Sequence, residues 1–124
     1  MTKKTFDAAA LHNFTGSQEW YRHSLNRQVL YTEGVQYLAE HAGAYWLVDE
    51  IALAQKYVPT LAKEEFQAWT LKVTNNPATL TCEDGNDNAL FSKHIEFTDF
   101  PMDEVLLYVE GEPAQRAILL PSEH

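Results

Sequence analysis

The densest cluster of chemically versatile side chains in this sequence is Trp20-Tyr-Arg-His23. We predict a helix here, and on a helix Glu19 and His23, four positions apart, face each other. A carboxylate beside an imidazole could act as an acid–base pair or supply two ligands to a metal ion. The alternative is a surface ion pair beside a tryptophan anchor. We favour this alternative because no other histidine, cysteine or acidic residue stands nearby in the sequence.

Two carboxylates interrupt a second segment that is otherwise almost entirely apolar. We predict a helix over about 44–57, with Asp49 and Glu50 near its middle. Carboxylates on a buried helix must be paired, protonated or open to a cleft, and Tyr45 could lie alongside Asp49 one turn away. The catalytic candidates are therefore His23, Asp49 and Glu50. The alternative is that both carboxylates line an exposed edge of the helix or pair with a nearby arginine.

Other motifs that carry chemistry are absent or incomplete. No pair of histidines or cysteines has the H-x-x-x-H or C-x-x-C spacing of a metal site. Asp84-Gly-Asn-Asp-Asn88 begins like a calcium loop, but Ala89 and Ile95 stand where that loop needs glycine and a bidentate glutamate. A polar hairpin turn explains the same residues. Glycine-rich phosphate and dinucleotide motifs are missing, so we expect no metal and no cofactor.

The negative charge of the chain is concentrated in its second half. Ten acidic and two basic side chains follow residue 82, and they account for most of the net charge of −9. Such a surface repels nucleic acid and anionic membranes and attracts basic protein surfaces. We therefore expect a protein partner with a basic surface, no direct nucleic-acid binding and no membrane binding. The candidate ligand- or partner-binding residues are Trp20, Tyr21, Arg22, His23, Tyr45, Trp46, Glu96 and Asp99.

The elements that must position these residues are helices followed by strands. Thr15-Gly-Ser-Gln18 is typical of a capping box, and Thr32 is a good N-cap before an amphipathic segment. After residue 65 the apolar period changes to two, which indicates strands. We predict an α+β fold with N-terminal helices packed on an antiparallel sheet of four to five strands. The helices are predicted at about 16–25, 32–42 and 44–57, and the strands at about 66–74, 78–83, 89–98, 104–110 and 116–120.

Length and cysteine content suggest how the chain is organised. The length of 124 residues predicts a single domain, 1–124, with residues 1–14 as an N-terminal arm. No apolar run reaches the length of a membrane span or a signal peptide. One cysteine, Cys82, excludes an intrachain disulfide and suits the cytoplasm. Its alternation with Leu80 predicts a buried core side chain rather than a reactive thiol.

Six short motifs stand out along most of the chain. They are Asn13-Phe-Thr-Gly-Ser17, Trp20-Tyr-Arg-His23, Leu30-Tyr-Thr-Glu-Gly-Val35, Gly43-Ala-Tyr-Trp-Leu47, Asp84-Gly-Asn86 and Thr98-Asp-Phe-Pro101. Together they resemble a family of small uncharacterised bacterial proteins, domain of unknown function 6876, often found in plasmid or phage settings. The resemblance implies a single domain associated with mobile elements and assigns no catalytic residue.

We expect a small acidic cytoplasmic protein that acts as a non-catalytic protein-binding or accessory module. Its acidic sheet half would be the contact face, for example on the basic, nucleic-acid-binding surface of another protein. The alternative is a small enzyme or ligand-binding domain with a pocket between segments 20–23 and 45–50. A third alternative is a homodimer through an open sheet edge. Convergence of the two segments in the fold favours an active or ligand site.

Overall fold

The computed structural model describes residues 8–14, 19–86 and 88–124, and these residues form a sheet with two α-helices packed on one face. The predicted α+β class is confirmed. The helices are α1 (Glu33–His41) and α2 (Tyr45–Tyr57), and short 3-10 segments lie at Ala8–Asn13, Pro59–Leu61 and Pro121–Glu123. The strands are β1 (Trp20–Arg22), β2 (Val29–Thr32), β3 (Phe66–Val73), β4 (Ala78–Glu83), β5 (Ala89–Ile95), β6 (Glu104–Glu112) and β7 (Gln115–Leu119).

The sheet is larger than predicted and is mixed. Its order is β1-β2-β7-β6-β3-β4-β5, so it has seven strands rather than four to five. All neighbours are antiparallel except β2 and β7, which run parallel with Tyr31 opposite Ile118. The expectation of a purely antiparallel sheet was wrong because the run from Val29 is a strand. So short a strand is stable only when neighbouring strands pair with it, which the local sequence does not reveal.

The helix predicted over 16–25 is also wrong in the part that the structure describes. Trp20–Arg22 forms β1, and Tyr21 lies opposite Tyr31 of β2. Aromatic side chains suit a strand, and pairing with β2 satisfies backbone groups that a local helix would otherwise satisfy. The capping box predicted at 15–18 lies outside the described residues.

The other predicted elements match closely. α1 and α2 begin and end within one residue of the predicted bounds, and β3, β4, β6 and β7 lie within two residues of theirs. β5 ends at Ile95, three residues before its predicted end. The Thr32 side chain accepts a hydrogen bond from the Val35 N–H at 3.2 Å, so the predicted N-cap of α1 is confirmed.

The last residues of the chain are attached to the start of α1. Glu123 Oε1 accepts hydrogen bonds from the Thr32 hydroxyl at 2.6 Å and from the Leu120 N–H at 3.0 Å. A carboxylate at a helix N-terminus is stabilised by the helix dipole. The glycine in the first turn of α1 leaves room for this contact. A Cβ on Gly34 would lie 2.7 Å from both Glu123 Oε1 and Leu120 Cδ1.

The core fills the space between the two helices and the inner face of the sheet. Strand residues alternate between this core and the opposite, outer face, as β3 shows with Trp69 and Leu71 buried. The larger buried side chains of the helices are Val35, Leu38, Leu47, Val48 and Ile51. Neither helix in the described part of the chain is long and apolar enough to cross a membrane.

One arginine lies inside this core. Arg116 of β7 is only 2% exposed. Its guanidinium donates hydrogen bonds to Gln55 Oε1 of α2 at 2.8 Å, to the Ala62 carbonyl at 3.0 Å and to the Gly111 carbonyl at 3.3 Å. Burial lowers the pKa of Arg116 because desolvation disfavours the charged form, while the carboxylate of Glu64 acts in the opposite direction.

The arginine is part of a longer polar chain through the core. Gln55 and Gln67 exchange side-chain hydrogen bonds at 2.7 and 2.8 Å. Gln67 Oε1 also accepts a hydrogen bond from the indole N–H of Trp69 at 2.9 Å. This chain joins α2, the connection after it, and strands β3, β6 and β7. In the sequence, Arg116 is one of the two basic residues that follow residue 82, and no local pattern marks it as buried.

We expect Arg116→Met to lower the free energy of unfolding by about 2–4 kcal/mol, since it leaves two carbonyls and the Gln55 side chain without their donor. The measurement is chemical denaturation followed by circular dichroism. Arg27→Met, at an exposed position, is the matched control and should change stability by less than about 0.5 kcal/mol. Equal stability of the Arg116→Met variant and the wild type would show that the buried network contributes nothing.

Candidate functional site

Segments 20–23 and 45–50 converge in the structure. His23 follows β1, and its Nε2 lies 2.7 Å from Oδ1 of Asp49 on α2. The His23 side chain is 4% exposed, whereas that of Asp49 is 47% exposed. The imidazole is thus enclosed by the protein and the carboxylate is open to solvent.

Both ring nitrogens of His23 have hydrogen-bond partners. Nδ1 accepts from the backbone N–H groups of Leu25 and Asn26, each at 3.1 Å. A nitrogen that accepts two N–H groups carries no proton, so Nε2 bears the hydrogen and donates it to Asp49. In this arrangement the imidazole has no free lone pair with which to take a proton from a substrate.

The same turn has a second attachment to α2. Asn26 is buried and donates from Nδ2 to the carbonyl of Ala52 at 2.8 Å, and its Oδ1 accepts from the Gln28 N–H at 3.2 Å. His23 and Asn26 therefore hold the connection between β1 and β2 against one side of α2. Asn26 belongs to none of the motifs that mark functional residues in the sequence. The only local signal was the preference of asparagine for turns.

The two adjacent carboxylates of α2 have different partners. Glu50 Oε1 forms an ion pair with Lys93 of β5 at 2.8 Å, on the side of the helix away from the β1–β2 turn. Asp49 bonds to His23, as described. The catalytic candidates His23, Asp49 and Glu50 are thus divided into one His–Asp pair and one separate ion pair.

The predicted pairing of Glu19 with His23 is wrong because the segment is a strand. Glu19 instead accepts a hydrogen bond from the Tyr21 hydroxyl at 3.2 Å, and this bond raises the pKa of Tyr21. The Tyr45 hydroxyl donates to Glu40 at 2.9 Å rather than lying free beside Asp49. Desolvation and the bond to Glu40 raise the pKa of Tyr45.

Two other candidate residues, Trp46 of α2 and Asp99 of the β5–β6 connection, line one cavity. Its volume is about 260 Å³, and its other lining residues are Ile95, Phe97 and Thr98. Phe97 is 60% exposed, which is unusual for a phenylalanine. Glu96, another candidate, is exposed directly before Phe97.

Trp20 lies away from both of these places, on the outer face of the sheet. It is 48% exposed and lines a cavity of about 400 Å³. The other lining residues are Leu30, Glu110, Gln115, Arg116 and Ala117. Arg22, the last residue of β1, is exposed and donates a hydrogen bond to the Arg27 carbonyl. We call the part of the outer face formed by Trp20, Leu30, Glu110, Glu112, Gln115 and Ala117 the Trp20 surface.

The acidic residues of the second half are divided between the two faces. Glu83, Glu104 and Glu110 lie opposite Ala68, Lys72 and Phe66 of β3, and these positions alternate with the buried ones. These glutamates and Glu112 therefore share the outer face, whereas Asp99 lines the cavity beside α2. The His124 ring contacts the Phe66 ring at a tilt and the Tyr108 ring edge-on, and it pairs with Glu110, so the end of the chain covers part of the outer face.

Metal and calcium chemistry have no site among the residues described. No group of three or more His, Cys, Asp or Glu side chains converges within ranges 8–14, 19–86 and 88–124. Asp84 accepts hydrogen bonds from the Asn88 side chain at 2.9 Å and from the Asn86 N–H at 2.8 Å, and these bonds lower the pKa of Asp84. The carboxylate thus stabilises its own turn.

Cys82 is buried, as the sequence predicted, and its thiol is a poor nucleophile. Desolvation raises the pKa of Cys82 from 9.0 to about 12, and nearby carboxylates act in the same direction. The unfolded chain therefore ionises this thiol above pH 9 while the folded chain keeps its proton. The thiol contributes stability that is fully present below pH 9 and lost as the pH rises towards 12.

We expect the wild type to lose about 1 kcal/mol more stability between pH 8 and pH 10 than Cys82→Ala, which lacks the titrating thiol. Urea denaturation of both proteins at the two pH values measures the difference in slope. Identical pH slopes would contradict a raised pKa. The native thiol should also resist alkylation at pH 8 until the protein is unfolded.

We expect a long-range ¹H–¹⁵N spectrum of the folded chain to place a proton on Nε2 of His23, as its hydrogen bonds require. His23→Ala should cost about 1–3 kcal/mol because it leaves two backbone donors without an acceptor. Asp49→Asn keeps an acceptor for Nε2 and should cost less. A proton on Nδ1 would refute the assigned hydrogen-bond pattern.

The chain was compared with curated proteins, solved structures and protein families. No curated protein matches the chain. The crystal structure of a protein of unknown function from Enterococcus faecalis is similar to this fold with a TM-score of 0.54. The two sequences are 17% identical, and the match covers 82% of this chain and 93% of that one, so the similarity concerns the fold alone. A model described as a family of unknown function (DUF6876) matches residues 5–124, and the chain belongs to this family.

Proposed function

We propose that this chain is a non-catalytic, cytoplasmic protein-binding module that contacts a basic partner through the Trp20 surface. The observation that carries the proposal is a half-exposed tryptophan beside a cavity of about 400 Å³ on the sheet face that the helices leave free. Tryptophan is among the residues that dominate binding energy at protein interfaces, particularly when it can enter or line a pocket.

The charges around this surface suggest the chemistry of the partner. Glu110 lines the cavity, Glu112 lies two residues further along β6, and the whole chain carries a net charge of −9. Carboxylates around an apolar centre attract lysine and arginine and accelerate association with a basic surface. A basic face of a nucleic-acid-binding protein is one such partner, and it would suit the mobile-element association that the motifs suggest.

The hydrogen bonds of His23 support a non-catalytic role. Both ring nitrogens are engaged, one by two backbone N–H groups and the other by Asp49. Such bonds hold a turn in place but leave no group to accept a substrate proton. A second candidate function, catalysis or ligand binding by the His23–Asp49 pair, is favoured by their separation of 2.7 Å and requires that one of these bonds open.

Site-specific photo-crosslinking tests the protein-binding proposal. A photoreactive amino acid in place of Gln115, on the Trp20 surface, should crosslink basic proteins in a cell lysate. The same amino acid in place of Lys56, at the exposed end of α2, serves as the control and should not. Crosslinked proteins are then purified, and their affinity for the chain is measured at low and at high salt. The affinity should fall as the salt concentration rises, because salt screens the attraction between charges.

Variants make this test specific. Trp20→Ala should weaken binding about tenfold or more, and Glu112→Gln should weaken it and reduce its salt dependence. Glu40→Gln removes one negative charge from the exposed end of α1, outside both proposed binding sites, and is the matched control. Equal crosslinking from both positions, or binding that Trp20→Ala leaves unchanged, would refute the proposal.

A further inference from the structure

The cavity beside Trp46 has the composition of a small binding site and is separate from the Trp20 surface. It lies between the start of α2 and the chain that follows β5, with a volume of about 260 Å³. Two aromatic rings, Trp46 and Phe97, and the side chain of Ile95 form apolar walls, and Asp99 supplies a carboxylate. Ligand sites are typically apolar hollows with a few placed polar groups.

Hydrogen bonds of Thr98 and Phe100 fix the backbone beside two lining residues, Phe97 and Asp99. Thr98, between Phe97 and Asp99, is buried and donates its N–H to the Asn76 carbonyl at 2.8 Å. Its hydroxyl accepts a hydrogen bond from the N–H of Phe100, which is 1% exposed. The backbone at 98–100 is therefore anchored on both sides of Asp99. Because this segment is already ordered, the protein loses less conformational entropy when a ligand binds.

The charge at the cavity is not neutralised within the described part of the chain. Asp99 forms no hydrogen bond or ion pair with any described residue, and Glu96 adds a second exposed carboxylate. Lys93, two residues before Ile95 on β5, is engaged by Glu50 at 2.8 Å. The site thus combines aromatic faces with net negative charge, which together favour an organic cation.

We propose that this cavity binds an ammonium group carried on a short apolar stem. The ammonium would pair with Asp99, and the stem would lie between Trp46 and Phe97, covering the exposed phenylalanine ring. A volume of about 260 Å³ admits one ring or one extended side chain. The same chemistry occurs in a free arylalkylamine and in a lysine side chain of a partner protein.

Nuclear magnetic resonance titration tests this site directly. The chain has three tryptophans, so the indole N–H signals of Trp20, Trp46 and Trp69 report separately on the two cavities and the core. Phenethylamine should shift the Trp46 signal with a dissociation constant of about 1 mM, as expected for a ligand of this size. Neutral 2-phenylethanol and anionic 3-phenylpropionate have similar stems and should bind at least about fivefold more weakly.

Variants and a second probe complete the test. Asp99→Asn should weaken phenethylamine binding about fivefold or more, and Phe97→Ala should weaken it without unfolding the protein, since the ring is exposed. Glu83→Gln, on the outer face but outside the Trp20 surface, is the charge-matched control and should have no effect. If a blocked lysine amide also shifts the Trp46 indole signal, the natural ligand is a lysine side chain of a partner protein. If only phenethylamine shifts this signal, the natural ligand is a free amine.

Several results would overturn the proposal. They are an unshifted Trp46 signal with both amines, binding of the alcohol as tight as that of the amine, and an unchanged affinity in Asp99→Asn. Shifts confined to Trp20 would also refute this site while leaving the proposed role of the Trp20 surface standing.

Discussion

Arg116 joins parts of the chain that are distant in sequence. Its guanidinium donates hydrogen bonds to Gln55 in α2, to Ala62 in the segment after α2, and to Gly111 near the end of β6. Hydrogen bonds to neutral acceptors stabilise this buried cation, so the geometry must be kept for the charge to be tolerated. α2, the segment after it and the β6–β7 hairpin are therefore coupled through one side chain.

The position of β7 has a direct consequence for the candidate surfaces. β7 lies between β6 and β2, so the short β1–β2 pair forms one edge of the sheet. His23 and Asn26 then attach this edge to α2. Because strand side chains alternate, Trp20 is placed on the outer face while the ring of Tyr21 stacks on Tyr31. The His23–Asp49 pair thus joins α2 to the end of the strand that carries Trp20.

Elements with strong local patterns were predicted well, and short ones were not. α1 has a capped amphipathic pattern, and β3 alternates over eight residues, so both were identified from sequence. β1 has three residues and β2 has four, too few to show a period. A helix over 16–25 was predicted because the capping box is visible in the local sequence. The pairing of Trp20–Arg22 with Val29–Thr32 is a tertiary contact, which the local sequence does not show. The burial of Cys82 followed from alternation alone.

The sequence by itself determined the net charge, the buried cysteine, the two main helices and the alternation that separates inner from outer strand residues. These are local properties of composition and period. Only the tertiary structure decided that His23 meets Asp49, that Glu50 meets Lys93, and that Trp46 shares a cavity with Asp99. It also decided that Arg116 is buried, because contacts across long sequence separations depend on strand order and register. Residue types and their spacing along the chain specify neither the strand order nor the register.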